Sequence, residues 1–142
     1  MEKRAELRLN DQASFTKMIS EEDILSFAQV SGDRNPVHLD ETYAQTTMFK
    51  KRIAHGMLVA SLISATIGQQ LPGHGTIYLT QTLRFRAPVF INDSITATVK
   101  VIDFPKPNRV VLNTTCTNQD GKVVIEGEAL VIPPENILVI SN

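Results

Sequence analysis

The stretch that decides the fold is residues 55–73, HGMLVASLISATIGQQLPG. It carries few charges and many small side chains, and it ends in a Pro-Gly pair that stops a helix. This pattern predicts a helix over about residues 56–70. A helix that is apolar on all sides must be buried on most of them. We therefore expect one central helix with the remainder of the chain wrapped around it.

The chain that follows this helix has the pattern of β-strands. Residues 75–86 alternate and are rich in Thr, Tyr, Ile and Phe, and residues 94–103, 109–118 and 122–132 repeat the pattern. Residues 118–121, NQDG, indicate a hairpin turn, since Gly accepts a positive φ angle. Consecutive strands joined by short turns form an antiparallel sheet. The pattern predicts an α+β fold of hot-dog type, an antiparallel β-sheet wrapped around a central buried α-helix.

Further elements precede the central helix. Residues 7–19 are β-compatible and predict a strand or an extended lead-in. Ser20 predicts the N-cap of a helix, because its hydroxyl accepts from free backbone N–H groups and the acidic residues after it suit the positive end of the helix dipole. Ser31-Gly32 predicts the end of that helix. Asp40 predicts the cap of a short helical turn over residues 41–45.

Composition limits the class of protein. A chain of 142 residues with 42% hydrophobic residues fits one compact domain with a real core. Its 14 basic and 15 acidic residues argue against a general nucleic-acid binder. No run approaches the ~18–20 apolar residues of a membrane span, and the N-terminal segment MEKRAELRLN lacks the pattern of a signal peptide. The single cysteine, Cys116, fits a reducing compartment, so we expect a cytoplasmic protein.

The segment with the most distinctive chemistry is Asp33-Arg34-Asn35-Pro36-Val37-His38, a turn by composition. A compact turn brings a carboxylate and an imidazole to either side of one small cavity, where they can share a water molecule. Histidine readily donates and accepts protons near neutral pH, so the pair suits the addition of water. Spacing alone leaves a structural role open, in which Asp33 and Asn35 only form the turn and His38 binds a backbone carbonyl.

A second candidate feature is His55-Gly56, at the start of the central helix. Free N–H groups at a helix N-terminus form a site for a developing oxyanion, and Gly lets a ligand approach the backbone. The alternative is that Gly56 only eases the turn while His55 points to solvent or caps a neighbour. The spacing of the histidines, with His74 in a loop between glycines, does not support a metal site.

Two motifs in order carry a family resemblance. Residues 33–38 have the pattern D-x-N-P-x-H, and residues 55–57 read H-G-M. Together with residues 27–47 and 54–99 around them, they resemble the (R)-specific enoyl-CoA hydratases of the MaoC-like, hydratase-2 group. The resemblance covers roughly residues 20–132, nearly the whole chain.

The resemblance implies a hot-dog homodimer, or a higher homo-oligomer, that acts on an acyl-CoA thioester without a cofactor. It implies that Asp33 and His38 activate one water, which attacks C3 of a trans-2-enoyl-CoA while a proton is delivered to C2. It also implies that Asn35 holds that water, that the Gly56 N–H binds the thioester oxygen, and that Ser64 supports the pair from the helix. The product would be an (R)-3-hydroxyacyl-CoA.

Other activities and regions stay open. The same fold admits a 3-hydroxyacyl dehydratase acting on acyl carrier protein, an acyl-CoA thioesterase, or a non-catalytic acyl-CoA binder. Either the basic cluster at residues 50–52 or Arg84 with Arg86 could meet the phosphates of CoA, or both could be solvated surface charge. We expect residues 1–142 to form a single MaoC-like hot-dog domain. The tail at residues 133–142 could add an edge strand, pack at a subunit interface, or be disordered.

Overall fold

The computed structural model of the protein describes residues 5–141. The first four residues of MEKRAELRLN and Asn142 at the end of the tail lie outside the described residues. The elements in chain order are β1 (Ala5–Arg8), β2 (Gln12–Met18), α1 (Glu21–Ser31), α2 (Pro36–Leu39), α3 (Glu41–Gln45), α4 (Gly56–Gln69), β3 (Ile77–Gln81), β4 (Arg84–Phe85), β5 (Ser94–Asp103), β6 (Val110–Thr117), β7 (Val123–Ile132) and β8 (Ile137–Ile140). Among the described residues, no helix has the length and apolar character needed to cross a membrane.

The main sheet is antiparallel and wraps around α4. Its strand order is β2-β5-β6-β7-β3, and the short β4 pairs with β7. The inward residues of β5 are buried and apolar, while the alternate positions between them are half-buried, as the two-residue period of a strand requires. These inward residues are Ile95, Ala97, Val99 and Val101. They pack against the buried face of α4, so the α+β hot-dog expectation is confirmed.

The helix caps form where the sequence predicts them. The Ser20 hydroxyl accepts from the backbone N–H of Asp23 at 3.1 Å, and the Asp23 carboxylate accepts from the N–H of Ser20 at 3.0 Å. This reciprocal capping box fixes the start of α1. Gly32 ends α1 with a φ of 80°, a left-handed conformation that favours glycine. The Asp40 carboxylate accepts from the N–H of Tyr43 at 3.1 Å and so caps α3.

The strand predicted over residues 75–86 is interrupted in the structure. It divides into β3 and β4 because the backbone of Thr82 crosses close above Gly127 of β7. A Cβ atom on Gly127 would lie 1.8 Å from the Thr82 carbonyl oxygen, so only glycine permits this crossing. The break turns the chain so that Phe85 reaches the N-terminal end of α4, where its ring contacts Gly56.

The two ends of the described chain form a second, smaller sheet. The lead-in over residues 7–19 is divided at Asn10, which has a φ of 73°, into β1 and β2. The tail strand β8 pairs in parallel with β1, so the tail neither extends the main sheet nor lacks structure. Leu7 of β1 is buried, and Ile137 and Val139 of β8 pack against the core.

Candidate active site

A cavity of about 550 Å³ lies beside the N-terminus of α4. Asp33, His38, His55 and Gly56 bring polar groups to its lining. Most of its wall is apolar and includes Phe49, Ile53, Val59, Phe85, Val89 and Ile125. A largely apolar cleft with a few converging polar groups is the usual form of a small-molecule site.

The turn at residues 33–38 brings a carboxylate and an imidazole together. The Asn35 side chain accepts from the N–H of Val37 at 3.3 Å, and Pro36 occupies the first turn of α2. A fully extended link of five residues would span up to ~17 Å. Instead, one side-chain ligand atom from each of Asp33, His38 and His55 lies within 4.8 Å of the others. The predicted convergence of Asp33 and His38 on one cavity is confirmed.

His38 belongs to α2 rather than to an irregular loop, and its ring is buried, with 8% of the residue exposed. Its Nδ1 lies 2.8 Å from the Ile53 carbonyl oxygen. A carbonyl oxygen only accepts, so Nδ1 carries the hydrogen and Nε2 keeps the lone pair. Burial lowers the pKa of His38 below its ordinary value, opposed by the Ile53 hydrogen bond, and the charge of His55 lowers it further. His38 is therefore poised as a neutral proton acceptor.

Asp33 stands on the exposed side of this pair. Its carboxylate accepts from the backbone N–H of Asn35 at 3.2 Å, and its own N–H donates to the Ser31 hydroxyl at 3.0 Å. These bonds fix the backbone on both sides of the carboxylate. The negative charge of Asp33 also favours the protonated form of His38, which matters once the imidazole has taken a proton.

Gly56 is the first residue of α4, as predicted. The first N–H groups of a helix have no acceptor within the helix, and they lie at the positive end of its dipole. His55, at the N-cap, makes no capping hydrogen bond to them. A Cβ on Gly56 would lie 2.5 Å from Cε1 of Phe85, so the ring occupies the space that any other side chain would need.

Comparisons with known proteins identify the family of the chain. Residues 5–123 match the MaoC like domain family. The chain belongs to this family. It is 55% identical over 130 residues to an (R)-specific enoyl-CoA hydratase of Rhodospirillum rubrum, an alignment that covers 91% of this chain and 90% of the relative.

Solved structures of R-hydratases have the same fold as this MaoC-like domain. The R-hydratase PhaJ1 of Pseudomonas aeruginosa superposes with a TM-score of 0.86 at 53% identity, covering 91% of this chain and 83% of PhaJ1. The (R)-hydratase of A. caviae, which is involved in PHA biosynthesis, gives a TM-score of 0.87 at 43% identity, covering 90% of this chain and 98% of the A. caviae chain.

Ser64 lies away from the pair within one chain of this MaoC-like domain. It is eight residues after Gly56, which is about 12 Å along the helix axis. Its side chain is exposed and lines a groove between α4 and β3 that also contains Ser61 and Tyr78. Asn35 is adjacent to the pair, but its side-chain oxygen caps α2. The roles of Ser64 and Asn35 in the reaction stay predictions.

Two further residues hold the pair, His55 and Arg52, through contacts that local sequence patterns do not reveal. The His55 ring is 2% exposed and stacks on the His38 ring, with centroids 3.9 Å apart. Arg52 donates through Nε to the His38 carbonyl at 2.8 Å and through Nη1 to the Glu21 carboxylate at 2.6 Å. Arg52 therefore faces inward, with 10% of its side chain exposed, and a contact of the basic cluster at residues 50–52 with CoA phosphates stays a prediction.

The cluster of Asp33, His38 and His55 has the composition of a metal site, but its geometry does not favour one. The lone pair of a ring nitrogen lies in the ring plane. Because the two imidazoles stack with planes inclined by only 27°, an ion at bonding distance in the plane of one ring lies out of the plane of the other. His38 Nδ1 and His55 Nε2 are also already bonded to carbonyl oxygens. His74 lies beyond the other end of α4, where it bonds Gln69.

Proposed function

We propose that the protein hydrates trans-2-enoyl-CoA to (R)-3-hydroxyacyl-CoA, with Asp33 and His38 as the catalytic pair and the Gly56 N–H as the donor to the thioester oxygen. One observation carries this proposal. A buried imidazole whose Nε2 is free to accept a proton lies beside a carboxylate and a helix N-terminus, in a single largely apolar cavity. The hydratase names of the relatives support the same reaction.

The proposed reaction adds one water across the C2=C3 bond. The water lies between the Asp33 carboxylate and His38 Nε2, and Asn35 helps to orient it. His38 accepts a proton as the water oxygen bonds to C3, and the π electrons move through C2 toward the thioester oxygen. The Gly56 N–H and the dipole of α4 stabilise the resulting enolate charge. The proton then passes from the pair to C2, which completes the addition of H and OH without a cofactor.

We propose that His38, and not Asp33, accepts the first proton. Its Nδ1–H is held by the Ile53 carbonyl, and burial lowers its pKa, so its neutral form has a lone pair directed away from Ile53. The acid limb of a pH profile then reports on the protonation of His38. The lowered pKa keeps His38 neutral, and so able to accept a proton, near neutral pH.

We also propose that the protein works as a homodimer built on β3. This strand is the edge of the main sheet, and an edge strand presents unpaired N–H and C=O groups. Its apolar residues Ile77, Tyr78 and Leu79 are exposed. Ser64 lines the groove beside this strand, so a second copy covering β3 would also cover Ser64. In that arrangement any support of a catalytic pair by Ser64 involves the subunit interface.

We propose a cytoplasmic location because the single cysteine is a buried free thiol. Cys116 is buried in the core, and burial raises its pKa to about 12. A reduced, unreactive cysteine is typical of proteins in reducing compartments. The balanced charge of the chain supports a small-molecule substrate over a nucleic acid as its partner.

The test follows the conjugated double bond of crotonyl-CoA in the ultraviolet and determines the configuration of the product. We expect loss of the conjugated absorbance and an R product, with Asp33→Asn and His38→Gln each nearly inactive and still folded. If both variants retained wild-type rates, the assignment of the pair would be wrong. Release of free CoA thiol would indicate a thioesterase, and binding without turnover would indicate a non-catalytic binder. Faster turnover of a matched carrier-protein thioester would indicate the carrier-protein dehydratase.

A further inference from the structure

His55 is an unusual residue for the position that it occupies. It is the N-cap of α4, a position that favours Ser, Thr, Asp or Asn because their short side chains accept from the first N–H groups of the helix. The His55 side chain makes no such bond, although the residue is 98% buried, being 2% exposed. A local rule broken at a cavity is a common sign of a residue retained for function.

The side chain instead reaches back to the turn that carries Asp33. His55 Nε2 lies 3.0 Å from the Asp33 backbone carbonyl oxygen, 22 residues earlier in the chain. Since the carbonyl only accepts, Nε2 carries the hydrogen. The other nitrogen, Nδ1, is buried and has no hydrogen-bond partner within residues 5–141. Leaving a buried polar atom unpaired costs free energy, so packing alone does not explain a histidine here.

The face of the same ring contacts the second member of the pair. The His55 and His38 rings stack with centroids 3.9 Å apart and planes inclined by 27°. Phe27 of α1 also contacts the His55 ring, at 4.8 Å between centroids. One side chain thus fixes the backbone of Asp33 and the imidazole plane of His38, and it is itself held against α1.

We propose that His55 is a positioning residue for the hydration reaction, holding Asp33 through a backbone hydrogen bond and His38 through ring stacking. This proposal rests on the proposed function. The two tasks need different chemical features, a flat ring and an N–H donor at the end of the side chain. Phenylalanine supplies only the ring, and glutamine supplies only the donor. Histidine supplies both.

A change at His55 also alters the charges around His38. The groups that act on His38 are Asp33, His55 itself and Arg52, which binds the His38 carbonyl and pairs with Glu21. The charge of His55 lowers the pKa of His38, so its removal raises that pKa. Because His38 acts in its neutral form, the acid limb of the kcat profile should then move to higher pH. Phenylalanine keeps the His38 ring covered, so burial, the largest cause of the lowered pKa, changes least in that variant.

The experiment compares His55→Phe and His55→Gln with His74→Gln, a control at an exposed histidine outside the cavity. The kcat and KM for crotonyl-CoA are measured across pH, and the His38 ring is titrated by NMR in ¹⁵N-histidine protein. For His55→Phe we expect kcat to fall about 10²-fold, since small misplacements of reacting groups have effects of this size. The KM should stay near wild type, and the His38 titration should move to higher pH. The kcat of His55→Gln should lie between those of His55→Phe and the wild type. The kcat of His74→Gln should equal that of the wild type.

The outcomes separate this proposal from the proposed function. A folded His55→Phe with wild-type kcat, or a loss of kcat with unchanged pH profile and His38 titration, would overturn the positioning role. If His55→Phe does not fold, the same two readouts on His55→Gln decide. If the wild-type protein leaves crotonyl-CoA unchanged, the proposed function fails. The His55 proposal then falls with it, whereas an active wild type beside an unaffected His55→Phe overturns the His55 role alone.

Discussion

The guanidinium of Arg52 donates through Nε to the backbone carbonyl of His38 at 2.8 Å, although the two residues lie 14 positions apart. The same side chain pairs with Glu21 in the first turn of α1. Arg52 therefore joins α2, which carries His38, to the start of α1. One member of the basic cluster at residues 50–52 thus makes structural contacts beside the proposed catalytic pair.

Replacing Arg52 by Met should destabilise the protein and slow the reaction. Methionine keeps an apolar stem but leaves the partly buried His38 carbonyl without its donor, at a cost of about 1–3 kcal/mol. The free energy of unfolding in urea and the kcat for crotonyl-CoA are the measurements. Lys50→Met, an exposed neighbour, is the matched control and should leave both values unchanged.

The ion pair between Arg52 and Glu21 should contribute less to the free energy of unfolding than the bond from Arg52 to the His38 carbonyl. Its carboxylate side chain is 56% exposed, and ion pairs at such positions contribute about 0–1 kcal/mol. Glu21→Gln should therefore cost less than Arg52→Met in the urea experiment. Equal losses in the two variants would mean that the ion pair, and not the bond to the His38 carbonyl, is the stabilising contact.

The lowered pKa of His38 predicts a dependence of stability on pH. Because the pKa in the folded protein lies below the ordinary value of 6.5, the unfolded chain binds the proton more readily. This contribution to stability is fully present above pH 6.5 and is lost as pH falls from there through the folded pKa. The Tm measured from neutral to mildly acidic pH should fall more in the wild type than in His38→Gln. Parallel curves would contradict the assignment.

How much the sequence predicts depends on the range of the interactions involved. The Ser20 cap, the Gly32 stop and the alternation in β5 are decided by near neighbours, and each forms as predicted. The break between β3 and β4 depends on Gly127, far along the chain, which no local pattern reveals. The parallel pairing of β1 with β8 is likewise not predictable from a local pattern, because it joins the two ends of the described chain.

In the candidate site, too, contacts between near neighbours are predictable from the sequence and contacts between distant residues are not. The proximity of Asp33 and His38 is predictable because the turn between them contains Asn35 and Pro36. The cap formed by Asn35 and the fixed φ of Pro36 make this turn compact. The stacking of His55 on His38 is not predictable, because it requires α2 and the start of α4 to pack side by side. The hydrogen bonds that hold the pair come from side chains far away in sequence, so they become visible only in the folded chain.

The contact between Gly56 and Phe85 predicts the effect of a single methyl group. In Gly56→Ala the new Cβ would lie 2.5 Å from Cε1 of Phe85, so this ring, which lines the cavity, must shift. We expect kcat/KM for crotonyl-CoA to fall about 10²-fold, because the donor and the substrate lose their alignment. Gly68→Ala is the matched control on the same helix, where a Cβ meets no atom within 4 Å.

A second substitution identifies the cause of that loss. Removing the ring in Gly56→Ala with Phe85→Ala relieves the steric conflict and should restore part of the activity relative to Gly56→Ala alone. The pair of variants is measured with the Phe85→Ala single variant as its reference. If the double variant shows the same loss as the sum of the single changes, the Phe85 contact is not what makes glycine necessary at this position.

The exposed edge strand β3 predicts how the oligomer can be disrupted. Leu79 of β3 and Leu138 of β8 are both 42% exposed, so a lysine at either position has a similar direct cost in the single chain. Leu79→Lys would place a charge in the proposed interface, where a buried unpaired charge is strongly unfavourable. Sedimentation velocity should show a monomer for Leu79→Lys and a dimer for Leu138→Lys. A dimer in both variants would place the interface elsewhere, since an edge strand carrying a lysine is a common means of preventing association.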